Sequence, residues 1–297
     1  MNPLFKSFLT LFVVVTLFSA CDPEKEPIPS YLHIKHFSVS SNPNSQGLAT
    51  SDIVGVKVFV NGAEIGNFEL PVTIPVLAKG NCKIELFPNI KENGISSEQK
   101  YYKPYVSYLD TLELEEGIID TISPSTHYRD ACTFAWIEDF EDQAISLTES
   151  GLDNTPDSII VIPTNTPGVN QPFSGSSYCG LITLMEDSTL IFERSTLSTF
   201  QVPNLGASVY VELDIKSNID VQIGIYSDDN IDIIQSPVMV VYNTNDTWKK
   251  IYVNLATETG ALTTGTKIRV FFGTYKDETL KGKKHIYLDN LKLVYLQ

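Results

Sequence analysis

Cysteine, histidine, basic residues and helical periodicity are all scarce in this chain, and each scarcity excludes something. Four cysteines occur in 297 residues. Setting Cys21 aside, Cys82, Cys132 and Cys179 remain, which allows at most one disulfide and leaves its pairing open. A cysteine-stapled scaffold is excluded, so burial of apolar side chains must hold the fold together. The 21 lysines and arginines face 36 acids, a formal net charge of −15, which repels nucleic acid and argues against it as a partner. Four histidines are present. His33 and His36 look like a metal pair in "HIKH", but an offset of three along a strand sends the two rings to opposite faces. A nucleophile elbow is missing too: in "SGSSYCG" Cys179 stands where the second glycine belongs, and no helical pattern follows it. The one long apolar run is "FLTLFVVVTLF", Phe8 to Phe18, too short to span the hydrocarbon of a bilayer as a helix.

That run is preceded by Lys6 and followed by Ser19, Ala20 and Cys21, the layout of an export signal occupying residues 1–20. Small residues directly before a cysteine resemble the lipobox of bacterial lipoproteins. The resemblance implies cleavage before Cys21 and acylation of that residue; Phe18 departs from the aliphatic residue usual three places before the cut. More than one acyl chain is needed for a stable anchor, because each buried CH₂ contributes only about 0.8 kcal/mol. Without residues 1–20 the chain carries 20 basic and 36 acidic residues. Residues 21–30, "CDPEKEPIPS", read as an acidic, proline-rich tether. Its acids resemble the export signal of Bacteroidetes-type surface lipoproteins, which implies an outer-membrane, lipid-anchored, cell-surface location.

Beyond the tether, runs of Val, Ile, Tyr, Phe and Thr alternate with turn residues throughout. We expect an all-β protein: a small N-terminal β-sandwich over 31–130, then a β-sandwich jelly roll over 131–297. In "VKVFVNGAEIG", Val56, Val58 and Val60 share a strand face, and Asn61-Gly62 supplies the positive dihedrals of a two-residue turn. "LPVTIPVL" carries Pro71 and Pro75 and belongs at a sheet edge. The segments "VFVNGAEIG" and "LPVTIPVLAKG" resemble PEGA-like modules of bacterial surface proteins. A tyrosine-rich stretch, residues 98–128, or an exposed sheet edge offers an interface through which a structural or adhesive protein could dock onto an outer-membrane complex.

The second half is more regular. "SVYVELDIKSN" sends Val209, Val211, Leu213 and Ile215 to one face and Tyr210, Glu212, Asp214 and Lys216 to the other. In the last strand Ile286 and Leu288 have one parity, whereas Leu291, Leu293 and Tyr295 have the other. A bulge or corner at Asp289-Asn290 is therefore expected. "WIEDFED", "SGSSYCGLITL", "VYVELDIKSN", "TWKKIYVNL" and "IYLDNLKLV", in that order, resemble galactose-binding-like jelly rolls, a group that includes carbohydrate-binding modules. The resemblance implies a lectin-like fold. It also implies a structural Ca²⁺ joining the first and last strands through Glu141 and Asp289, oxygen ligands suited to a hard cation.

Catalytic signals are thin. "DDNID" lacks the glycine and the closing glutamate of a calcium loop and reads as a solvated turn. "EDFED" gathers carboxylates locally, which does not set two of them across a substrate. What remains is binding of a glycan or a surface protein, without catalysis. Flat aromatic faces beside planar hydrogen-bonding groups suit a sugar. The outward positions Tyr210, Glu212, Gln222, Tyr226, Arg269 and Tyr275, with Trp136, make up the expected ligand face; Tyr252, Asn254 and Phe271 share its parity, and Trp248 is assigned to packing at a strand edge.

Overall fold

The computed structural model describes residues 26–95, 99–142, 144–151, 153–155, 158–171, 175–185 and 190–296. Cys21 and the export signal lie outside the described residues. The first half forms β1 (Ser30–Ile34), β2 (Ser38–Ser40), the single-turn helix α1 (Pro43–Gln46), β3 (Ile53–Val60), β4 (Ala63–Glu69), β5 (Val72–Val76), β6 (Gly80–Lys91), β7 (Gln99–Tyr101), β8 (Tyr108–Leu114), β9 (Ile119–Ile122) and β10 (Ser125–His127). The second half forms β11 (Cys132–Glu138), β12 (Leu147–Glu149), β13 (Ile160–Pro163), β14 (Tyr178–Leu184), β15 (Leu190–Thr196), β16 (Val209–Ser217), β17 (Val221–Asp228), β18 (Ile233–Val241), β19 (Lys249–Asn254), α2 (Ala256–Gly260), β20 (Lys267–Lys276) and β21 (Lys284–Leu296). The fold is all-β, as the alternating pattern predicts. Among the described residues no helix is long and apolar enough to cross a membrane.

In the first half a three-stranded sheet, β5-β1-β9, faces a five-stranded sheet in which β4-β3-β6-β7 run in order and β8 also pairs β6. The β3–β4 hairpin closes at Asn61 (φ 51°) and Gly62 (φ 81°), with Val60 opposite Ala63, the turn expected from Asn-Gly. Val56, Val58 and Val60 all point into the core. β5, with Pro75, lies at the sheet edge, where its missing donor costs no ladder bond.

The second half is a sandwich of two sheets. The inner one orders β13-β14-β21-β16-β19, with β11 also on β21; the outer one orders β12-β15-β20-β17-β18. Val209, Val211, Leu213 and Ile215 meet Ile223, Ile225, Val270 and Phe272 between them. On β21 the expected bulge is present. Glu212 pairs Lys292 but Asp214 pairs Asp289, so the last strand holds one residue more than its partner, and Asn290 takes the left-handed conformation (φ 50°). The extra residue lets Ile286, Leu288, Leu291 and Leu293 enter one core despite their opposite parities.

The far face of the inner sheet departs from expectation. All nine residues of β16 are buried, on both faces. Tyr210, Tyr252 and Val294 belong to the hydrophobic core of the first half, where they meet Tyr102, Tyr105 and Tyr128. Part of the tyrosine-rich stretch is thus consumed inside the protein: those three rings are fully buried and are not free to dock a partner, whereas Leu109, Ile118 and Ile119 of the same stretch are exposed. Alternation along β16 correctly separates two faces, but it carries no information about what packs on the second.

Candidate functional site

Three places gather polar groups, and each follows from strand register. The first is the interface between the halves. Glu212, wholly buried, accepts hydrogen bonds from Tyr102 (2.6 Å) and Tyr128 (2.9 Å) and lies 3.3 Å from the Lys250 amine. Burial alone would raise the Glu212 carboxyl, but Lys250, Lys292 and the two phenols outweigh it and hold it below the ordinary carboxylate range. Burial first, and Lys250 beyond Glu212's opposing charge, bring Lys292 down to about 8. At the sheet edge Glu92 bridges Tyr252 and accepts from Tyr210 (3.1 Å), Asn254 (2.8 Å) and Lys100. Tyr210 and Glu212, expected on a ligand face, are therefore parts of this interface. Trp136 is displaced as well: it lies in the sandwich core, 6.3 Å from the Phe272 ring, with its Nε1 donating to Ser146 (2.8 Å).

The second place is where the loop after β11, the first strand of the second half, meets the last strand, β21. Glu141 and Asp289 converge on Ser176, whose Oγ is 3.3 Å from Glu141 Oε1, 2.6 Å from Asp289 Oδ2 and 2.9 Å from the Tyr178 carbonyl oxygen. One hydroxyl proton serves three acceptors. Gln171 donates to Asp289 through Nε2, while its Oε1 is buried without a partner. Burial, and then the neighbouring charge of Asp214, push the Asp289 carboxyl up to about 7. Glu141 Oε1 also accepts from the Ser177 (2.6 Å) and Tyr178 (3.0 Å) backbone N–H groups, and Asp289 Oδ1 from Asn290 N (2.7 Å), so both carboxylates are already held by donors. The feature that suits a hard cation is the set of oxygens itself, two carboxylates beside the unpartnered Gln171 Oε1. Among the described residues no three His, Cys, Asp or Glu side chains gather into a metal-binding group, and neutral oxygens from Gln171, Ser176 and the backbone would have to complete the shell. The three cysteines Cys82, Cys132 and Cys179 are unpaired; burial pushes the Cys179 thiol up to about 12.

The third place is the exposed face of the outer sheet. Register lines up Val240, Gln222, Gly273 and Glu193 across β18, β17, β20 and β15, and on the same face Gln235, Tyr226 and Arg269 make a second row. Gly273 leaves the middle of the first row without a side chain; a Cβ there would sit 3.2 Å from Glu193 Cγ. The result is a solvent-open groove of about 710 Å³ with Asp220 and the exposed Tyr275 at its rim. Glu193, only 4% exposed, is its polar centre. Oε1 accepts from Ser150 and Tyr226, and Oε2 accepts from Gln235 at 2.7 Å. Tyr226 leans on Phe271 (centroids 5.3 Å apart) and lies under the Arg269 guanidinium (5.3 Å). Burial, then the bond to Glu193, push its phenol up to about 12.

Four of the seven expected ligand residues, Gln222, Tyr226, Arg269 and Tyr275, thus share this face. Glu193 was not anticipated. Its signal is an acid at the centre of "LIFERST", flanked two places away by Ile191 and Ser195 on the same face. Elsewhere, "DDNID" forms an exposed turn closed by Asp228 and Asp229 accepting backbone N–H groups. Glu138 of "EDFED" is satisfied by Phe140 and Ser146.

No family model and no characterised protein matches the chain. Solved structures do. One, of carbohydrate-binding modules from the β-sandwich superfamily, is 17% identical and covers 82% of this chain and 84% of its own, with a TM-score of 0.37. A xylan-binding domain from Paenibacillus barcinonensis is 13% identical over 57% of this chain and 98% of its own, with a TM-score of 0.38. A family 11 carbohydrate-binding module of a cellulosomal cellulase of Clostridium thermocellum is 10% identical over 53% of this chain and 92% of its own, with a TM-score of 0.35.

Proposed function

We propose that this protein is a non-catalytic surface lipoprotein that binds glycan in the groove of its outer sheet. The observation that carries the reading is the row Gln222–Gly273–Glu193, an open floor between an amide and a buried carboxylate, with Tyr226 and Tyr275 beside it. A sugar offers flat C–H faces and many hydroxyls. Tyrosine rings accommodate the faces, while amide and carboxylate groups held by neighbours pair the hydroxyls without reorganising. Glu193 is pre-oriented by three donors, which favours recognition over acid–base chemistry. Acyl chains on Cys21 would hold the protein on the outer membrane, facing outward, and the acidic tether "DPEKEPIPS" supports that placement.

A calcium ion at Glu141 and Asp289 would be structural in this reading, tying the loop after β11 to the last strand. The rival reading, docking onto an outer-membrane complex through the tyrosine-rich stretch or an exposed sheet edge, could not use Tyr102, Tyr105 or Tyr128, which are buried, and would rest on other residues such as the exposed Leu109 and Ile119.

Affinity electrophoresis in gels containing soluble polysaccharides tests the glycan reading. The wild type is expected to be retarded by at least one gel. Tyr226→Ala and Glu193→Gln, checked by circular dichroism, are expected to lose that retardation. Free migration in every gel, or retardation indifferent to both substitutions, would refute it.

A further inference from the structure

A second groove of about 1030 Å³ lies beside the first, in the open side of the sandwich between β18 and β19. The two grooves meet at Val240, which lines both. Its walls come from both halves of the protein. One wall is β18 and the residue after it: Val240 is 41% exposed and Tyr242 75%. The other is the turn after β6, Asn93 to Ile95, with Ile95 44% exposed. That turn is pinned to β19, because Asn93 N donates to the Tyr252 carbonyl (2.9 Å) and Asn254 N donates to Asn93 Oδ1 (2.9 Å). The wall is therefore preformed. Lys249 stands exposed at the rim as a hydrogen-bond donor.

Strand addition is a poor use of this side. β18 is interrupted by Pro237, and its pairing with β17 slips at Val238, so its free edge lacks the continuous ladder a partner strand needs. An exposed tyrosine ring and two aliphatic side chains around an open trough, with an amine at the rim, instead match a pyranose with its apolar face down and its hydroxyls outward.

We infer that the ligand is an extended glycan chain: sugar units held on the outer sheet continue past Val240 into the second groove, where the first half of the protein supplies the far wall. This rests on the glycan reading of the outer-sheet groove. It gives the first half a part in recognition.

The test compares trisaccharides with hexasaccharides and octasaccharides of linear β-1,4-linked xylose, glucose and galactose, by calorimetry on the full soluble chain. Wild type is expected to bind one hexasaccharide at least ~10-fold more tightly than its trisaccharide, about 1.4 kcal/mol. Tyr242→Ala and Ile95→Asp, both at exposed positions, are expected to shrink that gain below about threefold and to leave trisaccharide affinity and melting temperature unchanged. Trisaccharide binding with no gain on lengthening, or a gain that survives both substitutions, overturns the inference and leaves the outer-sheet site standing. Absence of binding by every oligosaccharide overturns both.

Discussion

Tyr102 donates its phenolic hydrogen to Glu212 across 2.6 Å, and the two residues come from different halves of the chain. With Tyr128, Lys250 and Lys292 around it, Glu212 is a wholly buried charge held by two phenol donors and two lysines. The consequence reaches function. The sheet face that this contact covers is closed to ligand, whereas the outer sheet keeps its groove open to solvent.

Glu212→Gln is expected to lower stability by about 3–5 kcal/mol, because it removes the nearer counter-charge of the buried Lys250 and leaves Asp214, at 3.9 Å, to answer it. Urea unfolding measures it. Lys57→Ala, which breaks an exposed pair with Glu64 at 2.8 Å, is the control and should cost less than about 1 kcal/mol. Equal effects from the two would contradict the interface described.

Alkaline pH should unlock the interface. Burial, and then nearby charge, raise the phenols of Tyr102, Tyr105, Tyr128, Tyr210 and Tyr252 above their ordinary value near 10. Groups raised in the folded state contribute stability that is fully present below about pH 10 and is lost as pH climbs past it, since only the unfolded chain can then ionise them. Tyrosinate absorbance and circular dichroism followed together should show the buried phenols ionising with loss of structure. Complete ionisation in a folded protein would refute the burial of this cluster.

Gly273→Val should abolish glycan retention and cost the fold about 1–3 kcal/mol through overpacking, so circular dichroism must show it folded. The new side chain would fill the groove floor and press on Glu193 Cγ and the Phe192 carbonyl, each 3.2 Å from the added Cβ. Retention equal to wild type would place the ligand elsewhere.

Calcium should raise the melting temperature. At a hundredfold excess over the dissociation constant the gain is about 2.7 kcal/mol, reversed by chelator and absent in Asp289→Asn. A melting curve indifferent to calcium and to chelator would remove the cation from Glu141 and Asp289.

Asn290→Val should destabilise by about 2 kcal/mol or more. It forces a β-branched residue into a left-handed backbone at φ 50° and removes the 2.9 Å bond from Asn290 Nδ2 to Asp214. Asn290→Gly, which keeps the conformation and loses only the bond, should cost less. Unfolding in guanidinium separates the two.

Much of this protein was legible in its sequence because the information is local. Asn61-Gly62 specifies a tight turn by backbone dihedrals alone, and the parity change after Leu288 demands an extra residue in the ladder wherever the strand pairs. Gln222, Tyr226, Arg269 and Tyr275 were placed on one face by the same alternation. Glu193 escaped because a single acid in a strand does not announce the three donors that converge on it from β17, β18 and the residue after β12.

Residue order by itself determined that the chain is all-β, where its hairpin turns and its bulge fall, and which side chains of each strand share a side. Only the tertiary structure decided which of those sides meets water. Glu92 and Tyr252 touch across 160 positions of chain, and no periodicity records such a distance. Alternation divides a strand into two faces; burial of one of them is set by whatever apolar surface the rest of the chain brings to it, and here that surface was the protein's own tyrosine-rich first half.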